Sequence, residues 1–339
     1  MIKINNRRYI GNKTKLLEEI YNCIQSYNFP QGSVFADPFA GTGVVSYFMA
    51  QKGFNVIVND LLYSNYVAYR AWLVNDDFSQ AKIDELLKYF NSISEAELED
   101  NYFSTTYGGK YFSVNDSKKI GYIRDYIELH KNEFSEREYY ILIAALMYAI
   151  DKIANTVGHF EYFLKTAPRD TSVQLESLDL TTKINGTIFN TDANTLVKTI
   201  KADVVYIDPP YNARQYVNFY HVLENLARWN KPTDFDGNSM KFKRDELKSG
   251  YSRSAAPTLF KNLIEDLKCK VIVVSYNNTY SAKSIASINK ISEQQIIEIL
   301  SSKGNVTKKE IKYSAFNAGK TDMNDHKEFL FVCEVNAKE

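Results

Sequence analysis

Two short apolar segments, joined by a glycine-rich turn and a helical stretch, most strongly constrain the fold of this chain. The first, "SVFADPFAGTG", covers 33–43, and the second, "NVIVNDL", covers 55–61. Between them, "VVSYFMAQKG" has helical periodicity and a closing glycine. Strand, glycine turn, helix and strand form the βαβ unit of a nucleotide-binding sheet. The sequence therefore predicts an α/β fold with a Rossmann-like sheet.

The α/β pattern stops after this unit and resumes later. Over 64–185 most of the chain has helical patterning, and "YFSTTYGGKYF" at 102–112 is predicted to be a flexible loop. From 186 onward "GTIFNTDANTLV", "ADVVYIDPP", "KVIVVSYNN", "VTKKEIKYSAF" and "KEFLFVCEV" are predicted strands. Only a polar turn separates the last two, which predicts a C-terminal antiparallel hairpin. We expect a sheet domain formed by 1–63 and 186–339, interrupted by a mainly helical inserted domain at 64–185.

The bulk composition excludes several classes of protein. Lys+Arg and Asp+Glu both total 41, so any surface for nucleic acid must be a local patch. The three cysteines, Cys23, Cys269 and Cys333, form no CxxC or CxxH pair. This spacing argues against a disulfide framework and a zinc site, and it favours a cytoplasmic protein. The N-terminus has no signal-peptide pattern, and the longest apolar stretch, "YYILIAALMYAI", is too short to span a bilayer.

The glycine turn and the next strand end predict a nucleotide-like ligand. Gly41 and Gly43 allow a tight turn and a close backbone approach, and Asp37 ends the preceding strand. Asp60 lies about where an acid binds ribose hydroxyls in dinucleotide folds. The third glycine of the GxGxxG pattern is absent, which argues against a pyrophosphate ligand.

The second group of candidate site residues is "YIDPPY", residues 206–211. Pro209 and Pro210 have fixed φ angles, so they hold Asp208 and Tyr211 in one stiff geometry beyond a buried strand. Open α/β sheets bind ligands beyond the carboxyl ends of their strands. An acid, a free carbonyl and an aromatic face fit an exocyclic amino group on a planar heterocycle. The alternative is an ordinary diproline turn beside an incidental tyrosine.

With these motifs in view, the chain resembles the S-adenosylmethionine-dependent adenine-N6 DNA methyltransferases of the Dam and FokI-type (D12) class. "RYIGNKTKLL" is similar to the first motif of that class, "DPFAGTG" to its cofactor loop and "DPPY" to its catalytic motif. The motif order also matches, as do "NARQYVNFYHVLENLARW" and "SYNN". The resemblance covers nearly the whole chain, and it implies a class I methyltransferase sheet with 64–185 as the target-recognition domain.

The resemblance implies site residues one by one. Tyr9 and Lys13 would bind the methionine end of S-adenosylmethionine, and Asp60 its ribose. The cofactor loop would be lined by Asp37, Phe39, Ala40, Gly41, Thr42 and Gly43. Asp192 would bind the cofactor's adenine amino group, with Ala193 beside it. The target adenine would be held by Asp208, Pro209, Pro210 and Tyr211.

These residues suit transfer to a nitrogen atom without a metal or a covalent enzyme intermediate. The N6 lone pair of adenine is delocalised into the ring, and hydrogen bonds from N6 to Asp208 and to the Pro209 carbonyl would localise it. A base in a duplex must first be flipped out, which predicts stacking on Tyr211. No Pro-Cys dipeptide occurs, which argues against cytosine-C5 chemistry.

Contacts with double-stranded DNA are expected from the insertion and from the basic segments after "DPPY". The candidate residues are Tyr107, Lys110, His159, Lys165, Arg169, Arg214, Lys241, Lys243 and Arg244. For each of them, a solvated or structural role is the competing interpretation.

Three alternatives stay open at the level of sequence. Another amino methyltransferase, acting on cytosine N4 or an RNA base, is disfavoured by Asp208, although some RNA guanine-N2 enzymes share this acid. A non-catalytic binding module would show a degraded site, and a nicotinamide dehydrogenase would need the missing glycine. We expect a site-specific modification enzyme, solitary or with a restriction endonuclease on another chain, and no membrane partner.

Overall fold

The computed structural model describes residues 1–280, 285–312 and 327–336. The chain divides into two compact units. One, the helical unit, comprises Met1–Asn12, Leu62–Asn185 and Val217–Glu246. The other, the sheet unit, comprises Lys13–Leu61, Gly186–Tyr216 and Leu247–Glu339. The helical unit thus takes in the predicted insertion together with Met1–Asn12 and Val217–Glu246, which the sequence assigns to the sheet domain.

The described strands are β1 Val34–Asp37, β2 Asn55–Asn59, β3 Gly186–Phe189, β4 Val204–Ile207, β5 Phe235–Asp236, β6 Lys241–Phe242, β7 Val271–Asn277, β8 Gly304–Lys312 and β9 Lys327–Val335. The described helices are α1 Leu17–Gln25, α2 Val44–Gln51, α3 Tyr63–Trp72, α4 Gln80–Ser92, α5 Tyr102–Tyr107, α6 Val114–Leu129, α7 Glu136–Ile153, α8 Ala193–Leu196, α9 Tyr216–Arg228, α10 Ala256–Asp266 and α11 Glu293–Ser301.

The sheet unit is built on seven strands in the order β3-β2-β1-β4-β7-β9-β8. The first five of these are parallel, while β9 pairs antiparallel with both β7 and β8. This confirms the predicted α/β fold and the C-terminal antiparallel hairpin. The segment joining β8 to β9 lies outside the described residues. Strand order reverses between β1 and β4, and this switch point is where open α/β sheets form ligand crevices.

The central strands carry the core of the sheet unit. All four residues of β4 and the first six of β7 are buried, which is why both segments are almost continuously apolar. Apolar side chains of α10 and α11, such as Phe260, Ile264 and Ile296, pack in the same core cluster. The ends of these strands are thereby held rigidly. The predicted strand "GTIFNTDANTLV" is β3 followed by the one-turn helix α8.

In the helical unit, α7 is the central element. Fifteen of its eighteen residues are buried, so "YYILIAALMYAI" is an interior helix, as predicted. The helix starts at a capping box in which the Ser135 hydroxyl accepts the Glu138 N–H and the Glu138 carboxylate accepts the Ser135 N–H. Over the described residues, no helix has the length and apolar character needed to cross a membrane.

The prediction of a flexible loop at 102–112 is wrong for Tyr102–Tyr107, which forms α5, whereas 108–112 forms a turn. The Asn101 side chain accepts the N–H groups of Phe103 and Ser104, each at 3.1 Å, and so caps α5. Phe103 and Tyr107 are fully buried. The glycine pair after Tyr107 suggested a loop, but burial of the aromatic rings stabilises a helix before it.

Candidate functional site

The glycine turn after β1 is fixed by a contact with the end of β2. Gly41 and Gly43 have φ angles of 53° and 78°, in the left-handed region that favours glycine. The Gly41 N–H donates to Asp60 Oδ2 at 3.0 Å. Asp60 therefore orders the turn, and its predicted contact with a ribose stays a prediction. Ala40 and Thr42 in the same turn are buried, and Phe39 packs edge-on to Tyr251 with ring centroids 5.0 Å apart.

Asp37, at the end of β1, is an unusual carboxyl group. It is 1% exposed, and its Oδ2 accepts a hydrogen bond from Ser46 Oγ at 2.9 Å. Its other oxygen is buried without a hydrogen-bond partner among the described atoms. Burial, with smaller contributions from Asp208 and Asp60, raises the pKa of Asp37 to about 8. At neutral pH this group is therefore largely a neutral carboxyl, and one of its oxygens is left for a further hydrogen bond.

Asn59, which the sequence analysis missed, connects three strand ends. Its amide nitrogen donates to Pro38 O at 2.9 Å and to Thr191 O at 3.0 Å, while its Oδ1 accepts the Thr191 N–H at 3.0 Å. The segment after β3 is thereby fixed beside the glycine turn. A polar residue at the end of the apolar strand "NVIVN" was the available clue.

Asp192 directly follows Thr191, which Asn59 holds in place. Its side chain accepts the Thr195 N–H at 3.0 Å and caps α8, and Ala193 is the buried first residue of that helix. Asp192 is exposed, and Asn190, two residues before it, donates from Nδ2 to the Asp60 carbonyl at 2.8 Å. The predicted cofactor role of Asp192 and Ala193 stays a prediction.

The "DPPY" segment follows β4 at the switch point. Pro209 is buried and Pro210 is half-buried. The Tyr211 hydroxyl lies 2.5 Å from Asp208 Oδ1 and 2.7 Å from Glu328 Oε1. The Tyr211 ring packs on Tyr276, with centroids 4.4 Å apart. We had predicted a ring for base stacking, but the structure gives Tyr211 a hydrogen-bonding role as well.

Lys13 carries the positive charge of this cluster. Its ammonium nitrogen lies 3.3 Å from Asp208 Oδ2, 3.0 Å from Glu328 Oε1 and 3.0 Å from the Tyr211 hydroxyl. Burial opposes its charged form, but the two carboxylates outweigh this and raise the pKa of Lys13. These contacts differ from the cofactor contact predicted for Lys13, which stays a prediction.

The pKa of Asp208 responds to opposing influences. Burial and the neighbouring Glu328 carboxylate raise it, while Lys13 and the Tyr211 hydroxyl lower it, and the pKa settles at about 6. An acid with this pKa is largely ionised at neutral pH and can still take up a proton.

Glu328 is the second residue that the sequence analysis missed. It is 3% exposed, lies in β9, and accepts hydrogen bonds from Tyr211 and from Ser275 Oγ, the latter at 2.9 Å. Because β9 is antiparallel to β7, its first residues lie at the carboxyl end of the parallel strands. An isolated acid opening the apolar run "KEFLFVC" was the only clue.

Tyr9 belongs to the helical unit. Its ring stacks on Tyr220 with centroids 4.5 Å apart and an interplanar angle of 7°, and the Arg7 guanidinium lies 5.5 Å from its ring centre. Asn65 Nδ2 donates to the Tyr9 hydroxyl at 3.3 Å. The predicted contact of Tyr9 with the cofactor stays a prediction.

The structure corrects one predicted DNA contact, Tyr107. This side chain is fully buried, and its hydroxyl accepts a hydrogen bond from Asn225 Nδ2 at 2.7 Å. Lys110 and His159 are half-buried, and the His159 ring packs against Phe219. The remaining exposed candidates are Lys165, Arg169, Arg214 and Lys243.

Lys241 and Arg244 line an open groove of about 610 Å³ within the helical unit, together with Tyr162 and Lys165. Arg244 donates to Asn218 at 2.8 Å and to Asp236 at 3.1 Å, so it also ties the β5–β6 hairpin to α9. Lys241 lies 4.5 Å from the centre of the exposed Tyr162 ring. Burial, with Arg244 nearby, lowers the pKa of Lys241.

No cluster of three or more His, Cys, Asp or Glu side chains that could hold a metal ion occurs in the described part of the chain. The acceptors at the strand ends instead suit a ligand bearing amino and hydroxyl groups, because these groups donate hydrogen bonds to carboxylates.

Comparison with known proteins gives one family. A family model described as D12 class N6 adenine-specific DNA methyltransferase matches residues 9–302. The modification methylase StsI of Streptococcus sanguinis is 38% identical over 287 residues, which cover 80% of this chain and 44% of that protein. The type II methyltransferase M.NlaIII of Neisseria lactamica is 33% identical over 343 residues, which cover 96% of this chain and 98% of that protein.

The type II methyltransferase M.FokI of Planomicrobium okeanokoites is 33% identical over 290 residues, which cover 80% of this chain and 44% of that protein. The chain therefore spans less than half of StsI and M.FokI but nearly all of M.NlaIII.

Proposed function

Because the chain belongs to the D12 class of N6 adenine-specific DNA methyltransferases, we propose that it transfers a methyl group from S-adenosylmethionine to N6 of an adenine in double-stranded DNA. The adenine is flipped out of the duplex, since a paired base does not expose N6 to an enclosed site. The family that the sequence motifs predict is the family that the comparison shows.

The observation that carries the proposal is the arrangement around Asp208. Its carboxylate lies at the switch point of the sheet, beyond the buried strand β4, and Lys13 and Tyr211 contact its two oxygens. A carboxylate oxygen has two lone pairs, so each oxygen retains capacity for an amino proton. Asp208 is thus a fixed, polarised acceptor for an exocyclic amino group.

The residues at the neighbouring strand ends fit S-adenosylmethionine. The unpartnered buried oxygen of Asp37 can accept a hydrogen bond, and the Asp60 carboxylate suits a ribose diol. Asp192 would hold the cofactor's adenine amino group, beside Ala193. When bound, the cofactor supplies an electrophilic methyl group attached to a sulfonium.

The protein's own contribution is to position and polarise the target nitrogen. Asp208 and the Pro209 carbonyl accept the two N6 protons, which localises the nitrogen lone pair that the ring would otherwise withdraw. Asp208 must be ionised for this, and its pKa of about 6 meets that condition at neutral pH. Buried strands hold the acceptor, so little reorganisation is needed at the moment of transfer.

We propose that the helical unit recognises the target sequence. Its groove combines Lys165, Lys241 and Arg244 with the exposed ring of Tyr162, which suits phosphate and base contacts. The exposed Arg169, Arg214 and Lys243 are candidates for further phosphate contacts.

The chain is proposed to be the modification enzyme of a restriction-modification pair, with the endonuclease on another chain. The named relatives are modification methylases and type II methyltransferases, which supports this assignment. A DNA substrate and free Cys23, Cys269 and Cys333 favour a cytoplasmic location.

The test is to express the protein in a host that lacks adenine methylation and to sequence the genomic DNA with a modification-sensitive method. N6-methyladenine confined to one sequence motif is expected. Unmodified DNA from cells containing soluble protein that binds S-adenosylmethionine would refute the proposed substrate. The matched control is Asp208→Ala, which should leave the DNA unmodified.

A further inference from the structure

Three oxygen atoms lie in a row in the sheet unit: Asp208 Oδ1, the Tyr211 hydroxyl and Glu328 Oε1. The two separations are 2.5 and 2.7 Å, both typical of strong O–H···O hydrogen bonds. Tyr211 is thus a bridge between the carboxyl group that faces the target base and a buried carboxyl group in β9. None of the chemistry described above uses Glu328.

The row has room for a second proton. Two O–H···O bonds need two protons, and the Tyr211 hydroxyl supplies one. Lys13 donates to Asp208 Oδ2, Glu328 Oε1 and the Tyr211 hydroxyl, and the Ser275 hydroxyl donates to Glu328 and lies 3.2 Å from the Tyr211 hydroxyl, so neither places a proton between the oxygens in the row. Both contacts are hydrogen bonds when one carboxyl group of the pair carries the second proton. With Lys13 charged, the buried cluster then has no net charge.

We propose that Asp208, Tyr211 and Glu328 form a proton relay, in which Glu328 stores the proton that the target nitrogen loses after methyl transfer. This inference rests on the proposed function. Glu328 acts through Tyr211 and is a positioning and storage residue, while Asp208 is the group that contacts the base.

The proton balance of the relay is simple. A methylated N6 carries a positive charge until it gives up one proton, which passes to Asp208. The Tyr211 hydroxyl gives its own proton to Glu328 Oε1 and takes the proton from Asp208. Asp208 is then again a carboxylate, Tyr211 is again a phenol, and Glu328 is a neutral acid that later loses its proton to solvent.

Tyr211 can bridge the carboxyl groups without itself ionising. Burial, and then the Asp208 and Glu328 carboxylates, raise its pKa well above the ordinary value for tyrosine, so the hydroxyl keeps a proton throughout.

The relay has a defined pH dependence. At low pH the proton is already in place, so the rate should rise with pH as Asp208 ionises, near its pKa of about 6. Glu328 raises that pKa, whereas the Tyr211 hydroxyl lowers it. The ionisable groups around Asp208 are Lys13, Asp37, Tyr206, Tyr211, Tyr216 and Glu328.

Replacing Glu328 and replacing Tyr211 should therefore shift the acidic limb of the pH–rate profile in opposite directions. Glu328→Gln should move it to lower pH, and Tyr211→Phe should move it to higher pH. The charge of Glu328 and the hydrogen bond from Tyr211 predict these shifts even without proton transfer, so the relay itself is tested by the loss of rate and by its non-additivity.

The experiment is single-turnover methylation of a DNA containing the recognised motif, from pH 5 to 9. Glu328→Gln is expected to slow the reaction by at least about tenfold. The double variant Glu328→Gln/Tyr211→Phe should react no more than about twofold more slowly than the slower single variant, because both substitutions interrupt the same path. Glu334→Gln is the matched control, since Glu334 is an exposed acid in the same strand; its rate should stay within about twofold of wild type.

A second measurement does not depend on turnover. In the free protein, ¹³C NMR titration of the Asp208 carboxyl, assigned by its loss in Asp208→Asn, should give a lower pKa in Glu328→Gln than in wild type. If Glu328→Gln does not fold, Tyr211→Phe decides: a lowered rate on the plateau above the acidic limb supports the relay, and a wild-type plateau rate overturns it.

The outcomes distinguish failure of the relay from failure of the proposed methyl transfer. A wild-type protein that methylates DNA, with an unimpaired Glu328→Gln variant or additive losses in the double variant, overturns the relay alone. A wild-type protein that never methylates DNA overturns the proposed function and the relay with it.

Discussion

Replacing Asn59 by alanine tests whether one side chain holds the cofactor side of the site together. The side chain is 1% exposed and makes hydrogen bonds with three backbone groups: the carbonyls of Pro38 and Thr191 and the Thr191 N–H. Alanine leaves all three without this partner. The Pro38 bond is fully buried, whereas Thr191 is half-buried and can recover some hydration.

The expected loss follows from these contacts. A buried backbone group left unpaired costs about 1–3 kcal/mol, and a partly hydrated group costs about 0.5–1 kcal/mol. The sum is about 3 kcal/mol of the free energy of unfolding, which corresponds to a fall of about 6–12 °C in the melting midpoint of a cooperative unit of this size. Because Thr191 precedes Asp192, the affinity for S-adenosylmethionine should fall as well.

Differential scanning calorimetry and isothermal titration calorimetry measure the two effects. The control is Asn55→Ala, in the same strand, which removes one exposed side-chain hydrogen bond to Gly32 O; it should shift the midpoint by no more than about 1 °C. If Asn59→Ala melted within 1 °C of the control, the three bonds would not stabilise the unit as argued.

Three further variants test the roles of single side chains. Asp208→Ala should lower methyl transfer by about 10²–10³-fold with cofactor affinity unchanged by calorimetry, and an equal loss of both would contradict its assignment to the base. The raised pKa of Asp37, about 8, means that the folded protein binds a proton that the unfolded chain releases above about pH 4. The contribution of Asp37 to stability should therefore fall between about pH 4 and 8, and the melting midpoint of Asp37→Asn relative to wild type should rise over that range. Lys165→Ala should reduce the salt slope of DNA binding by about one, while Tyr107→Phe should leave that slope unchanged; an unchanged slope for Lys165→Ala would remove it from the interface.

The parts of the site that could be predicted are those encoded by neighbouring residues. The βαβ unit around Gly41 and the diproline after Asp208 combine a strand pattern with turn residues inside a few positions of each other. Such patterns depend on local backbone preferences, and the structure has both at the switch point of the sheet.

Contacts between distant segments could not be predicted in the same way. Glu328 contacts Tyr211 only because β9 runs antiparallel beside β7, and nothing in the sequence of β9 specifies that pairing partner. The burial of Tyr107 has the same origin, because the rings around α5 come from segments far apart in the chain. A tyrosine has the same local sequence context whether it contacts DNA or fills a core.

The position of β9 between β7 and β8 also has a consequence for synthesis of the protein. Strand β7, "VIVVSYN", is almost wholly apolar, yet one of its two edges stays unpaired until β9, the last strand of the sheet, has left the ribosome. An apolar strand with a free edge is a template for intermolecular pairing. In the finished sheet the edge strand on this side is β8, "GNVTKKEIK", whose charged side chains discourage such pairing. Nascent chains that stall before Lys327 should therefore aggregate, whereas the folded protein ends its sheet on a strand that resists aggregation.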